Sequence, residues 1–164
     1  MKPNTRRVCG IDPGLARLGW AIIEVTGQHI ELVAADCLET ASNQPAEQRL
    51  HELYSKLLVI LQQYQPTVIG IEKLYFTNNV STGIAVGQAR GMVLLAAAST
   101  HTTIAEYTPT AVKQAVTGDG RADKRQIQHM VSLLLHLKQL PKHDDTTDAI
   151  AIALCASTHR LPTL

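Results

Sequence analysis

The chain has 164 residues, of which 45% are hydrophobic and 4% aromatic, and its formal net charge is +1. This length excludes several large domains and predicts one domain spanning residues 1–164, with a core of aliphatic side chains. So small a net charge does not by itself indicate a nucleic-acid or membrane partner, so evidence for such a partner has to come from the distribution of the charges.

The cysteines and the N-terminal segment bear on the cellular compartment in which the protein is expected. Cys9, Cys37 and Cys155 lie in apolar stretches and form neither a CxxC pair nor an even set for a disulfide framework. The segment 1–12 has basic residues but lacks the long apolar run of a signal peptide, and no apolar segment of the sequence reaches membrane-spanning length. We expect buried free thiols, no membrane partner and a cytoplasmic location.

Three short apolar runs open the chain. They cover residues 6–12, 18–25 and 30–39, with the turn-like sequences PGLAR and TGQ between them. Short apolar runs bounded by glycine, proline and polar residues are typical of β-strands joined by tight connections. The sequence therefore predicts three strands joined by hairpins.

Helices and strands alternate in the rest of the chain. A proline near the start and leucines at helical spacing predict a first long helix over 43–65; these leucines are Leu50, Leu53, Leu57, Leu58 and Leu61. The next predicted elements are a strand, a helix, a strand and three helices, at 66–72, 80–98, 102–107, 109–116, 124–137 and from about 144. This order describes an α/β domain with a mixed sheet flanked by helices.

Two acidic residues end similar strand sequences. VCGID ends at Asp12 and VIGIE ends at Glu72. If these strands are adjacent and parallel, a strand spacing of about 4.8 Å brings the two carboxylates side by side. Such anions repel each other unless a cation lies between them. Ligands of open α/β sheets bind outside the carboxyl ends of the strands, which is where both acids are expected.

A second acidic pair begins the last helix. Asp145 and Asp148 are three residues apart and share one helix face, where like charges are destabilising without a cation. Oxygen ligands without paired thiolates favour Mg²⁺ or Mn²⁺. In the competing interpretation Asp144 or Asp145 is an N-cap and the strand-end acids lie in ordinary loops. His143 is a further ligand, a group that assists the attack of a water, or a solvated side chain.

Several motifs, in order along the chain, resemble the RuvC family of bacterial Holliday junction resolvases. They are GIDPG at 10–14, IE followed by YF at 71–76, VGQARG at 86–91, PTAVKQAVTG at 109–118, GRADKRQIQHMV at 120–131 and DTTDAIAIAL at 145–154. The resemblance covers about residues 7–157. It implies a single RNase H-like nuclease domain with a mixed five-stranded sheet.

The resemblance also implies an activity. RuvC-like proteins are homodimeric, Mg²⁺-dependent endodeoxyribonucleases that cut two opposing strands of a four-way DNA junction in recombination and repair. The family's catalytic, metal-binding acids fall on Asp12, Glu72, Asp145 and Asp148. Two metal ions held there can activate a water, neutralise the phosphate and stabilise the leaving 3′ oxygen. The branch-migration proteins RuvA and RuvB are further partners that the resemblance suggests.

Five residues are candidates for contacts with DNA. The family's two basic residues near the scissile phosphate fall on Lys113 and Lys124, where the competing interpretation is that both are solvated. Arg121 lies in the glycine-containing loop GDGRADK, whose backbone N–H groups can approach phosphates. Tyr75 and Phe76 follow the second acidic strand end. Such aromatics pack in the core or stack on an unpaired base, and Tyr75 is the first candidate for stacking.

Three glycines recur every four residues along the helix predicted at 80–98. They are Gly83, Gly87 and Gly91, and a stripe without side chains allows another backbone to approach closely. That backbone belongs either to the protein's own sheet or, as the resemblance implies, to a second copy in a two-fold dimer.

Two other functions compete with junction cleavage. A junction-binding protein that does not cut needs basic groups but has no need of four acids. An RNase H-like nuclease that acts on structured RNA uses the same acids, so the sequence leaves this alternative open.

Overall fold

The computed structural model describes residues 5–73 and 80–158. The elements in these residues are β1 Thr5–Asp12, β2 Arg17–Thr26, β3 His29–Glu39, α1 Ala46–Tyr64, β4 Val68–Glu72, α2 Val80–Ser99, β5 Thr103–Tyr107, α3 Pro109–Thr117, α4 Lys124–Leu134 and α5 Asp144–Ser157. They confirm the predicted order of strands and helices. None of these helices is both long and apolar enough to cross a membrane.

One predicted helix end is wrong. The helix predicted over 124–137 ends at Leu134. Leu135 departs from helical geometry and His136 adopts a left-handed conformation with φ of 50°. The N–H of His136 donates to the carbonyl oxygen of Leu133, which closes the last turn. Apolar spacing continues beyond this turn, so periodicity alone does not mark the end.

The five strands form one mixed sheet in the order β3-β2-β1-β4-β5. The first three strands pair antiparallel, whereas β1 with β4 and β4 with β5 pair parallel. In the central parallel pair, Val8 lies opposite Val68 and Ile11 lies opposite Ile71. The condition for side-by-side carboxylates, two adjacent and parallel strands, is therefore met, and the acidic last residues of β1 and β4 lie at the same edge of the sheet.

Helices cover both faces of the sheet because its central strands carry apolar side chains on both sides. On one face, Ile11 and Ile71 pack with Leu53 and Leu57 of α1 and with Val93 of α2. Each fully buried leucine stabilises the fold by roughly 1.5–3 kcal/mol. On the other face, α5 packs on β1, β2 and β4, and α3 and α4 pack around α5.

Helix α5 lies directly on the sheet because two glycines leave room for its backbone. A Cβ atom on Gly10 of β1 would overlap the carbonyl oxygen of Ala149, and one on Gly19 of β2 would overlap the carbonyl oxygen of Asp145. Thr146 and Thr147 in the first turn are 2% and 1% exposed. This contact fixes the acidic start of α5 beside the end of β1.

Candidate active site

A cavity of about 240 Å³ opens at the sheet edge where β1 and β4 end. Three of the four predicted acids line it, namely Asp12, Glu72 and Asp148, and so do both predicted lysines, Lys113 and Lys124. Its apolar walls come from α3, α4 and α5, through Pro109, Val112, Ile127, Ala151 and Ile152. The fold thus brings together five predicted residues from distant parts of the sequence.

Burial and mutual repulsion raise the pKa values of the acids in this cavity. Burial, followed by the charges of the other three predicted acids, raises the pKa of Asp12 to about 7, while the charge of Lys124 acts in the opposite direction. Burial and then the charge of Asp148 raise the pKa of Glu72, while the charge of Lys113 lowers it by a smaller amount. Burial also raises the pKa of Asp148. Carboxylates crowded in this way are stabilised by a bound cation or by a proton.

Lys124 is placed at the cavity by the start of α4. Asp123 and Gln126 form a reciprocal capping box that begins this helix at Lys124. Its Nζ lies 3.1 Å from Asp144 Oδ2 and 3.4 Å from Asp148 Oδ2. Burial lowers the pKa of Lys124, but the hydrogen bonds and charges of these two carboxylates outweigh it and raise the pKa. Such exposed pairs contribute little and are easily exchanged for a phosphate.

Asp145, the fourth predicted acid, does not line this cavity. Its Oδ2 lies 3.1 Å from Arg17 Nε, and its side chain lines a second cavity instead of the first. That oxygen is buried, yet it accepts no hydrogen bond from the residues that the structure describes, so the ion pair is not aligned as a hydrogen bond. No group of three or more His, Cys, Asp or Glu side chains within residues 5–73 and 80–158 has a metal-binding arrangement.

The N-cap interpretation of the acidic helix start is wrong. His143 is the N-cap of α5, without a capping side-chain hydrogen bond, and Asp144 and Asp145 are the first two helical residues. Their charges still favour the positive end of the helix dipole. Asp144 is exposed and accepts a hydrogen bond of 3.2 Å from Gln128. His143 Nε2 lies 3.7 Å from Glu39 Oε1, so its imidazole faces the end of β3.

The loop between α3 and α4 presents Arg121 on the surface. Gln114 holds this loop, because its Nε2 donates to the carbonyl oxygen of Gly118 at 2.7 Å and its Oε1 accepts from the N–H of Gly120 at 3.0 Å. The N–H of Arg121 donates to Asp119 Oδ1 at 2.9 Å. The loop is therefore well defined and adjoins α4, which carries Lys124.

Tyr75 and Phe76 lie outside the described residues. In α2, a Cβ atom on Gly87 or Gly91 would meet no described atom within 4 Å. Packing of these two glycines against the protein's own sheet is therefore wrong, and close approach by a second copy stays a prediction.

Sequence reasoning missed Arg17, the partner of Asp145. It is the first residue of β2 and follows a turn-like sequence, where a basic side chain is usually solvated. No spacing or motif sets it apart, because its partner lies in the last helix. Only the approach of α5 to Gly19, two residues further along β2, brings the pair together.

Comparisons with known proteins agree on one class. The solved structure of T. thermophilus RuvC in complex with a Holliday junction substrate superposes with a TM-score of 0.88, at 33% sequence identity and with 93% of each chain covered. The five-stranded mixed sheet with flanking helices is the RNase H-like fold of these structures. Fold and comparisons together define a junction-resolving endonuclease.

The family follows from the sequence comparisons. The profile of the family described as "Crossover junction endodeoxyribonuclease RuvC" matches residues 8–156. The protein of that name from Desulforamulus reducens is 47% identical over 148 residues, 90% of this chain and 91% of the relative. That from Chloroflexus aggregans is 48% identical over 158 residues, 96% of each chain. The chain belongs to the RuvC family, a family of metal-dependent nucleases, as the motifs predicted.

Proposed function

We propose that this protein resolves four-way DNA junctions by paired, symmetric cuts, with two Mg²⁺ ions held by Asp12, Glu72, Asp145 and Asp148. The observation that carries this proposal is the cavity at the ends of β1 and β4, where three of these acids meet two lysines. The T. thermophilus relative in complex with a Holliday junction substrate supports the choice of substrate.

The donor set fits divalent ions. It consists of carboxylate oxygens, which Mg²⁺ and Mn²⁺ both accept. Burial and mutual repulsion raise the pKa values of Asp12, Glu72 and Asp148, so their charges call for a counter-ion. Asp145 Oδ2 is buried without a hydrogen bond from the described residues, which leaves it able to serve as a ligand. When bound, the ions supply an activated water and charge neutralisation at the phosphate.

The lysines and the α3–α4 loop have separate tasks. Lys113 and Lys124 line the acid cavity and present compact positive charges to the scissile phosphate. Lys124 exchanges its exposed carboxylate partners for that phosphate. Arg121, in the loop held by Gln114, contacts a neighbouring phosphate. Tyr75 or Phe76 stacks on an unpaired base at the junction.

A labelled, mobile four-way junction tests the proposed function. We expect paired incisions at symmetric positions in Mg²⁺ and none in EDTA. We expect Asp12→Asn to reduce the cleavage rate at least about 1,000-fold while junction binding in EDTA stays within about threefold. Lys138→Gln, an exposed change between α4 and α5, is the control that keeps full cleavage. Binding without cutting by the wild type, or preferential digestion of structured RNA, would support the alternative functions instead.

We also propose that two copies form a homodimer through α2. Two separate cuts in opposing strands need two sites. No described atom lies within 4 Å of the place where a Cβ atom on Gly87 or Gly91 of this helix would be, and the apolar residues Ile84 and Leu95 of the helix are 57% and 58% exposed. Such apolar exposure beside a bare stripe favours contact with another protein surface.

Family membership and the fold also support proposals for the domain organisation, the compartment and the partners of this protein. We propose one nuclease domain over residues 1–164, because β1 and α5, from opposite ends of the chain, share a core. A nuclease of chromosomal junctions acts in the bacterial cytoplasm, and the free thiols of Cys9, Cys37 and Cys155 fit a reducing compartment. Of these, Cys37 is half-buried instead of buried. RuvA and RuvB are proposed as partners from family membership.

A further inference from the structure

A second cavity, of about 360 Å³, lies between the start of β2, α1 and the start of α5. Asp145 lines it, one helical turn before Asp148, which lines the first cavity. Two arginines also line it, Arg17 at the start of β2 and Arg49 in α1. The β1–β2 loop and Ala85 and Val86 of α2 complete the walls. The cavity therefore presents two guanidinium groups next to the predicted acid that does not line the first cavity.

Arg49 is held in place by a chain of hydrogen bonds. Its Nε donates to Thr40 Oγ1 at 2.9 Å, and Thr40 Oγ1 donates to the carbonyl oxygen of Leu15 at 2.7 Å. The N–H of Thr40 donates to the carbonyl oxygen of Ala16 at 3.1 Å. This anchoring uses Nε, and the two terminal nitrogens of Arg49 have no acidic partner within the described residues. These two nitrogens can therefore bind a ligand. A guanidinium fixed in advance loses less conformational entropy on binding an anion.

Arg17 has a partner that it can exchange. Its pair with Asp145 is 3.1 Å long but not aligned as a hydrogen bond, and the Arg17 side chain is 53% exposed. The contact is made at Nε of an exposed arginine, so a phosphate that binds Nε and one terminal nitrogen of the same guanidinium can displace the carboxylate. If Asp145 instead turns towards a metal ion, Arg17 loses that carboxylate and the cavity holds two uncompensated cations.

We propose that Arg17 and Arg49 bind a non-scissile backbone phosphate of the bound junction, and that Asp145 blocks Arg17 until it turns towards the metal site. This inference rests on the proposed function, because the phosphate belongs to the junction being cut. It links the two cavities, since the movement that completes the acid site also frees a cation for the DNA. Metal binding and DNA binding then support each other.

The salt dependence of junction binding tests the phosphate contact. Fluorescence anisotropy with a labelled four-way junction in EDTA gives the slope of log K against log salt, which changes by about 0.9 per phosphate contact. We expect Arg49→Gln to weaken binding about fivefold and to reduce the slope by about one, whereas Arg49→Lys keeps the slope. Lys56→Gln, on the same helix and paired with Glu52, is the control that leaves both unchanged. An unchanged slope in a folded Arg49→Gln protein would overturn the contact.

A double-mutant cycle tests the block by Asp145. We expect Asp145→Asn in EDTA to tighten junction binding about fivefold and to steepen the slope by about one, because Arg17 becomes available. The same change in an Arg17→Gln background is expected to have no more than a small effect. Equal tightening in both backgrounds would mean simple loss of repulsion and would overturn the block.

The outcomes separate this inference from the proposed function. A wild-type protein that neither binds nor cuts the junction contradicts the proposed function itself. A wild-type protein that binds and cuts, together with arginine variants that keep the wild-type affinity and slope, contradicts only the phosphate site. Thermal unfolding of every variant shows whether a loss of binding comes from a loss of folded protein.

Discussion

At the scale of single residues, the metal-free fold disfavours the charged form of Asp12. It ends β1, between β2 and β4 in the middle of the sheet. Burial and the neighbouring acids raise its pKa to about 7. A carboxylate in this position lowers the stability of the metal-free fold at neutral pH, as is common for residues kept for function.

The pH dependence of stability follows from this shift. The folded-state pKa of Asp12, about 7, lies above its ordinary value of 3.8. The stability that protonated Asp12 contributes to the fold is therefore complete below about pH 4 and is lost as the pH rises through 7. Without divalent ions, we expect Asp12→Asn to raise the free energy of unfolding at pH 8 by about 3 kcal/mol, and the melting temperature by about 6–12 °C. At pH 4 the two proteins should be equally stable.

Circular dichroism melts in EDTA at pH 4, 6 and 8 measure this difference. Gln48→Asn, a substitution at an exposed position of α1 between two side chains that do not ionise, is the control, and its effect should not vary with pH. A stability gain from Asp12→Asn that is the same at every pH would contradict the raised pKa.

Single residues also mark the limit of what the sequence predicts. Asp12, Glu72 and Asp148 were predictable because each lies at a recognisable strand end or helix start. The cation paired with Asp145 was not, because a carboxylate pairs with whichever cation the fold brings near it. Arg17 comes within 3.1 Å only after β2 and α5 have packed.

At the scale of elements, the contact between α5 and the sheet aligns the acids. The carbonyl oxygen of Asp145 lies where a side chain on Gly19 would be. The positions of all five strands and of most helix ends followed from apolar spacing and from turn residues. The early end of α4 did not, because it depends on the left-handed conformation of His136, a residue type that does not require it.

The glycine in β2 offers a direct test of this contact. We expect Gly19→Ala to lower the free energy of unfolding by about 3 kcal/mol and to reduce junction cleavage, because the new methyl group pushes the start of α5 away from β1. Gly27→Ala is the matched control, since Gly27 has a φ of 63° but open space around it. It should cost only about 1 kcal/mol and leave cleavage unchanged. Urea denaturation measures both, and similar costs would contradict the close contact.

At the scale of the whole molecule, the proposed dimer places two acid sites on one junction. The α/β architecture was predictable from the order of elements, and the RNase H-like topology came from the family motifs. The dimer contact is harder to predict, because a bare helix stripe serves a sheet and a second copy equally well. The open space beside Gly87 and Gly91 removes the first of these explanations.

Side chains added to the stripe test the dimer. We expect the wild type to sediment as a dimer at micromolar concentration, and Gly87→Leu or Gly91→Leu to weaken the dimer at least about tenfold, because the added side chain separates the two helices. Ala115→Leu places the same side chain at an exposed position of α3, on the other face of the sheet, and should leave the dimer intact. A monomeric wild type, or dimers unaffected by both glycine changes, would contradict this contact.

The central claim is that four acids from separate elements bind divalent metal ions, and anomalous diffraction from crystals grown with Mn²⁺ tests it most directly. We predict anomalous peaks in the cavity lined by Asp12, Glu72 and Asp148, with Asp145 turned away from Arg17 towards the metal, and loss of the peaks in Asp12→Asn crystals. The absence of any peak in wild-type crystals at saturating Mn²⁺, with Asp145 still paired to Arg17, would contradict the claim.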